Sequence, residues 1–253
     1  MAKKYAVMMY KGGSGKSTTA TNLGAALVEM GKRVLLVDLD RQGNATTGVG
    51  FELNEIPRSV NDLFADPDLH PREAVLKTEF GIDMLAASRG LAATAMNMRP
   101  GDMFNLREIL GRLDEDYDVI IIDTPPNEGY MTYSALAAAD AVIIPVATRG
   151  FSEEGLAQTV DGITAARKAY NPNLTLAGIL FTNVEKGTLM SSAVLKSVQD
   201  DYADAVFPHA IPKAAVLDKG NATGFPGVFL DPKHKAAEAY RNVARRLVDD
   251  ADQ

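Results

Sequence analysis

The residues Lys11-Gly12-Gly13-Ser14-Gly15-Lys16-Ser17-Thr18 lie between an apolar run and a helical pattern, and they limit the fold more tightly than any other stretch. Glycines at this spacing let backbone N–H groups turn inward on phosphate oxygens. The N-terminus of the following helix adds the positive end of its dipole, and Lys16 adds a full charge for the β- and γ-phosphates. Ser17 stands where a hydroxyl would hold Mg²⁺. The spacing departs from G-x-x-x-x-G-K-[ST]: Tyr10 takes the place of the first glycine, and an additional lysine, Lys11, follows it. A dinucleotide fingerprint starting at Gly13 would need glycine where the chain has Thr18. A nucleoside triphosphate is therefore the better ligand.

Short apolar runs alternate with helical patterns along the rest of the chain, with Pro and Gly at the seams and no long linker or repeat. Candidate strands lie at 5–10, 34–39, 82–86, 119–123, 141–147 and 174–182, mostly Val/Ile/Leu runs of the kind buried on both faces of a parallel sheet. Helices are predicted at 16–30, closed by Gly31, at 153–170, before Pro172, and at 189–202 and 233–248. This alternation predicts an α/β fold, a doubly wound and mainly parallel sheet with helices on both faces, built from residues 1–253 as a single domain. Ligands of such sheets sit at the carboxyl ends of the strands. Asp38 and Asp40 end the second run and Asp123 the fourth, so three carboxylates converge near Lys16 and Ser17. Carboxylates there suit Mg²⁺, which keeps several waters and takes one or two protein ligands.

Composition excludes other chemistries. With no cysteine among 253 residues there is no disulfide scaffold, thiolate zinc, iron–sulfur cluster or cysteine nucleophile. The apolar run 5–10 is too short for a signal peptide, and charges interrupt every stretch approaching a membrane span, so a soluble, cytoplasmic protein is expected. The formal charge is −7, yet residues 186–246 hold nine Lys and Arg against six Asp and Glu. His70, His209 and His234 show no metal spacing. Met96, Met98 and Met103 are expected to pack within helices or loops.

The sequence resembles the ParA/MinD family of deviant Walker A P-loop ATPases, and within it the ParA partition ATPases. The resemblance rests on KGGSGKST at 11–18, VLLVDLDRQGNATTGVG at 34–50, DVIIIDTPP at 118–126, ADAVIIPV at 139–146, FTN at 181–183 and IPKAAVLDKG with DPKHKAAEAY between 211 and 240. Two departures stand out: Arg41 where the family has Pro in its DxDPQ segment, and Met9-Tyr10 in place of a polar pair.

The resemblance implies an ATPase using ATP and Mg²⁺. Lys11 would be the signature lysine that reaches the partner's nucleotide across a homodimer formed with ATP. Lys11, Gly12, Gly13, Ser14, Gly15, Lys16, Ser17 and Thr18 would cradle the phosphates, and Asn183 and Pro212 the base. Ser17, Asp40 and Asp123 would serve the metal, with Asp123 as the Walker B-like acid, and Asp40 would position the attacking water; Asp38 is left between a metal contact and its water shell. Lys213, Lys219, Lys233, Lys235, Arg241 and Arg245 would meet nonspecific DNA, which places the protein on the nucleoid, and a ParB-like adaptor would stimulate hydrolysis. A MinD-like membrane switch is disfavoured by the tail Asp249-Asp250-Ala251-Asp252. A ParA-like ATPase positioning a protein cargo is the other alternative. An acid-activating enzyme of the same group is disfavoured by Lys11 and the ParA-like ending.

Overall fold

The computed structural model describes residues 1–185 and 187–251. Lys186 and Asp252, which entered the charge reading, lie outside the described residues. The elements run β1 (Lys3–Val7), α1 (Lys16–Glu29), β2 (Val34–Asp38), α2 (Asn44–Gly48), α3 (Val60–Ala65), β3 (Val75–Lys77), β4 (Ile82–Leu85), α4 (Leu91–Asn97), α5 (Asn105–Gly111) and β5 (Val119–Asp123). They continue as α6 (Tyr130–Ala138), β6 (Ala141–Ala147), α7 (Glu153–Ala169), β7 (Thr175–Thr182), α8 (Leu189–Tyr202), α9 (Ala215–Thr223), α10 (Gly227–Leu230) and α11 (Lys235–Ala251). The sheet order is β3-β4-β2-β5-β1-β6-β7, with every pairing parallel except the edge pair β3 and β4. The expected doubly wound α/β sheet is present. Strand β3 lies outside the six runs expected from sequence, and β1 leaves its ladder with β5 at Val7 because the phosphate loop follows.

Alternation along each strand divides the core. Ile120 and Ile122 of β5 face one helix layer with Leu106, Met131, Leu156 and Val198, while Val119 and Ile121 face the other with Leu23, Leu27, Tyr240 and Val243. Helix α1 is buried by small side chains, Ala20, Ala25 and Ala26, which let it lie close on the sheet. Its N-cap, Gly15, has φ 87°, and a Cβ there would stand 3.2 Å from Thr182 Oγ1. Glycine is required by both conformation and space. Gly50 and Gly224, with φ 94° and 70°, bring together the chain segments that follow α2 and α9. A Cβ on Gly224 would lie 2.5 Å from the Gly50 Cα.

Helix α11 is pinned to α1 by Arg241. Its Nε and Nη2 donate to the two oxygens of Glu29 at 2.7 and 3.1 Å, its Nη1 donates to the Pro232 carbonyl at 2.6 Å, and its side chain is 18% exposed. A forked pair sheltered in this way is worth more than an exposed one. Replacing Arg241 by Ala should therefore cost about 1.5–3 kcal/mol of stability, the range for hydrogen bonds to charged groups. Arg245→Ala, whose side chain is 51% exposed, should leave stability close to unchanged. Urea midpoints of the two variants compare them directly.

Candidate nucleotide and metal site

The register of β2, β5 and β1 builds the site. Asp38 lies opposite Asp123, and Asp123 opposite Val7, so two carboxylates meet at the carboxyl end of the strand that leads into the phosphate loop. A cavity of about 460 Å³ opens there, lined by the loop from Gly12 to Thr18 and by Asp40, Thr182, Asn183, Pro212 and Lys213. The phosphate-loop residues and both base-side candidates thus share one chamber.

Lys16 is buried, and its ammonium donates to the Lys11 carbonyl at 3.2 Å. Burial lowers its pKa, while Asp123 and Asp40 pull it back up. Lys11 behaves differently. Its side chain leaves the loop and its ammonium donates to the Gly150 carbonyl, beyond β6. The two lysines are thus separated rather than crowded on one phosphate tail.

Asp123 is fully buried, and neither of its oxygens meets a donor at hydrogen-bonding geometry. Burial pushes its carboxyl well above the ordinary carboxylate range and the charge of Asp38 adds to the rise; Ser17 and Lys16 offset this only in part. A buried carboxylate without a donor is costly unless a cation joins it. An Mg²⁺ ion held by Ser17 Oγ, by Asp123 through water and by phosphate oxygens fits this donor set. Among the described residues, no three His, Cys, Asp or Glu are grouped to enclose a metal by themselves. A metal here would take only part of its coordination shell from the protein and the rest from nucleotide and water.

Asp38 has another task. One oxygen accepts from the Asp40 N–H at 3.0 Å, and the other accepts from the Thr46 N–H and Oγ1–H, both at 2.9 Å. Its burial nevertheless raises its pKa to about 6. Its bonds go to the 39–46 loop, which assigns Asp38 to holding that loop. Asp40 lines the cavity, and its Oδ1 accepts from the Gln42 N–H at 3.0 Å.

On the wall expected to meet the base, Asn183 adopts a left-handed φ of 53°, with its side chain exposed in the cavity wall. Val184 and Pro212 form a bridge, which brings the 211–214 segment beside it. Thr47, Asp218, Asn221 and Tyr240 are among the residues of this wall that were missed from sequence. Asn221 Nδ2 donates to Thr18 Oγ1 at 2.8 Å, so α9 is tied to the phosphate loop. No local signal marks such a contact, since its partners are remote in the chain.

Of the basic candidates, Lys219, Lys233 and Lys235 are exposed, Lys213 pairs with Glu185 at 2.5 Å, and Arg245 pairs with Glu238 at 3.2 Å. Arg241, expected among the DNA-contacting residues, is engaged by Glu29 in a forked pair. His70 and His234 accept from the N–H groups of Arg72 and Ala236, as capping residues do. Met96 is 87% exposed, contrary to its expected packing.

A family profile described as AAA domain matches residues 2–176. The sporulation initiation inhibitor protein Soj of Bacillus subtilis is 35% identical over 250 residues, covering 98% of both chains. The chromosome partitioning protein ParA of Caulobacter vibrioides is 33% identical over 248 residues, covering 96% of this chain and 92% of its own. The chain belongs to the ParA/MinD family of P-loop ATPases. Among solved structures, one described as cobyrinic acid a,c-diamide synthase from Mycobacterium smegmatis, with bound ATP analog and magnesium, is 35% identical. It superposes with a TM-score of 0.88 over 100% of this chain and 97% of its own. As a ParA/MinD ATPase, the chain hydrolyses ATP, with ATP and Mg²⁺ as its cofactors.

The unpartnered carboxylate gives a direct test. Asp123→Asn should change the stability of the nucleotide-free protein by no more than about 1 kcal/mol, because burial already favours the neutral acid and the charged form faces Lys16. The same variant should lose the extra thermal shift that Mg²⁺ adds to ADP. Melting curves with and without Mg²⁺ read both effects.

Proposed function

We propose that this ATPase dimerises when ATP is bound, holds nonspecific DNA in that state, and lets go after hydrolysis stimulated by a ParB-like adaptor, so that a plasmid, chromosome or other cargo is positioned. The observation that carries the reading is the outward course of Lys11, whose ammonium docks on Gly150 while Lys16 stays inside the cavity. A second lysine serves no purpose on the same phosphates, but across a two-fold interface it would neutralise charge that develops during phosphoryl transfer. Lys16 would bind the β- and γ-phosphates, with the N–H groups of residues 12–18. Ser17 and Asp123 would hold Mg²⁺, which supplies charge neutralisation when bound, and Asp40 would orient the attacking water. Asn183 and Pro212 would meet the base beside Asp218 and Asn221. Residues 1–253 would act as one domain.

DNA contact would fall to the exposed Lys219, Lys233 and Lys235, with Lys213 and Arg245 sharing their charge with internal carboxylates and Arg241 spent on Glu29. A monomer of net charge −7 has little general attraction for phosphate, and pairing two patches multiplies the contacts. Among the described residues no helix is long and apolar enough to cross a membrane. The activity named for the Mycobacterium smegmatis relative, cobyrinic acid a,c-diamide synthase, is the reading against which the DNA test below decides.

Lys16→Ala should abolish tight ATP binding, whereas Lys11→Ala should keep nucleotide affinity within about threefold and lose dimer-linked hydrolysis; nucleotide titration beside steady-state turnover separates them, and equal loss of affinity overturns the assignment of Lys11. Asp40→Ala should bind ATP and remain dimeric by light scattering, with hydrolysis reduced at least about a hundredfold, in line with loss of a positioned catalytic base. A gel-shift salt series on unrelated DNA sequences, with and without ATP, tests the DNA reading. Binding should require ATP, and log affinity should fall with log salt by about 0.9 per phosphate contact. Lys233→Glu with Lys235→Glu should weaken it without changing dimerisation. Equal affinity without ATP would overturn the switch.

A further inference from the structure

Asp218 lines the nucleotide chamber from α9 and is exposed there, and among the described residues it forms no hydrogen bond or ion pair. Lys213, on the same wall, pairs instead with Glu185. An ionised carboxylate only accepts hydrogen bonds. What Asp218 can hold is therefore a ligand group that carries a donor.

The fold fixes the part of a nucleotide that α9 faces. Its first turn follows the 211–214 segment, whose Pro212 bridges to Val184 beside Asn183. Its later turn reaches the phosphate-loop helix, where Asn221 Nδ2 donates to Thr18 Oγ1 at 2.8 Å. Asn22, one turn beyond Thr18, donates to the Thr18 carbonyl at 2.8 Å and accepts from the Val228 N–H at 3.1 Å, so the segment after α9 is fixed to the same helix. The back of α9 is equally confined: a Cβ on Gly220 would stand 2.8 Å from the Gly227 nitrogen. Leu217 and Gly220 are its buried positions, and Asp218 and Asn221, three residues apart, share the face that lines the chamber. Asp218 thus stands on the stretch between the wall expected to meet the base and the helix that begins at Lys16.

A nucleotide with its phosphates on residues 12–18 and its base against Asn183 and Pro212 must carry its sugar across that stretch. Phosphates offer no donor and repel a carboxylate. The ribose offers two neighbouring hydroxyls, and acceptance from a ribose hydroxyl by an acidic side chain is a recurring device of nucleotide sites. We propose that Asp218 accepts from the 2′- and 3′-hydroxyls of the ribose, with Asn221 fixing α9 at the height of the sugar, and that this contact makes the chain selective for ribonucleotides. The inference rests on the placement of the base proposed above and adds the sugar to it.

The test uses diphosphates, which avoid turnover. Binding of ADP, 2′,3′-dideoxyADP and inosine diphosphate, each with Mg²⁺, is measured by isothermal titration calorimetry on the parent protein and on Asp218→Ala. The parent should bind the dideoxy analogue at least about tenfold more weakly than ADP, as the loss of hydrogen bonds to a charged group requires. Asp218→Ala should bring those two nucleotides within about twofold of each other by weakening ADP alone, and should leave the ratio of ADP to inosine diphosphate unchanged. A parent that binds the dideoxy analogue as tightly as ADP overturns the sugar contact. So does a variant that weakens all three nucleotides alike and keeps the parent's ratios, the result expected of a loosened α9. Either outcome leaves the placement of the base standing. Collapse of the ratio of ADP to inosine diphosphate in Asp218→Ala, with the dideoxy ratio kept, puts the carboxylate on the base and overturns the sugar contact and the base placement together.

Discussion

The structure depends on a parallel register that sets Asp38 against Asp123 and leaves Asp123 buried without a donor. A carboxylate in such surroundings is tolerable only as an acid holding its proton or as one half of an interaction completed from outside. The fold therefore keeps an electrostatic deficit at the carboxyl end of β5. Much of the surrounding architecture controls what can reach it. Gly15 allows the loop to pass against Thr182, the α1 N-terminus points at the same place, and Lys16 is buried where its charge acts on both the acid and any phosphate above it. Asp38 spends its own oxygens on the 39–46 loop and so holds Asp40 at the cavity wall.

A second set of contacts ties the phosphate loop to α7. The Tyr10 N–H donates to Thr159 Oγ1 at 3.1 Å, the Thr159 hydroxyl donates to the Gly155 carbonyl at 2.7 Å, and Lys11 reaches Gly150 just before that helix. Tyr10 also packs on Gly162, where a Cβ would come within 2.8 Å of the Tyr10 hydroxyl. The Met9-Tyr10 departure thus has a structural home: an aromatic ring occupies space that glycine leaves open on the facing helix. Among the described residues no comparable internal partner holds Arg41, whose side chain is exposed.

The strands of the central sheet were legible because burial on both faces leaves continuous Val/Ile/Leu runs, and the phosphate loop because its glycines have few other uses. What escaped was short or remote. The three residues of β3 and the five of α2 carry too few positions for a period to emerge. Asp218 and Asn221 join the cavity only because α9 folds back over Thr18, a contact without a local trace. Arg241 and Arg245 have the spacing of a basic stripe, yet Glu29, far earlier in the chain, captures the first of them. Charge counting along a sequence cannot see such neutralisation.

The meeting of Gly50 and Gly224 ties the histories of two segments together. One follows the helix that Asp38 anchors, and the other follows the helix that carries Asp218 and Asn221. Their backbones touch where any side chain would intrude, and both residues hold left-handed angles that favour glycine. Neither segment can drift in sequence or length without the consent of the other. The segment after α2 and the segment after α9 are thus inherited as a unit.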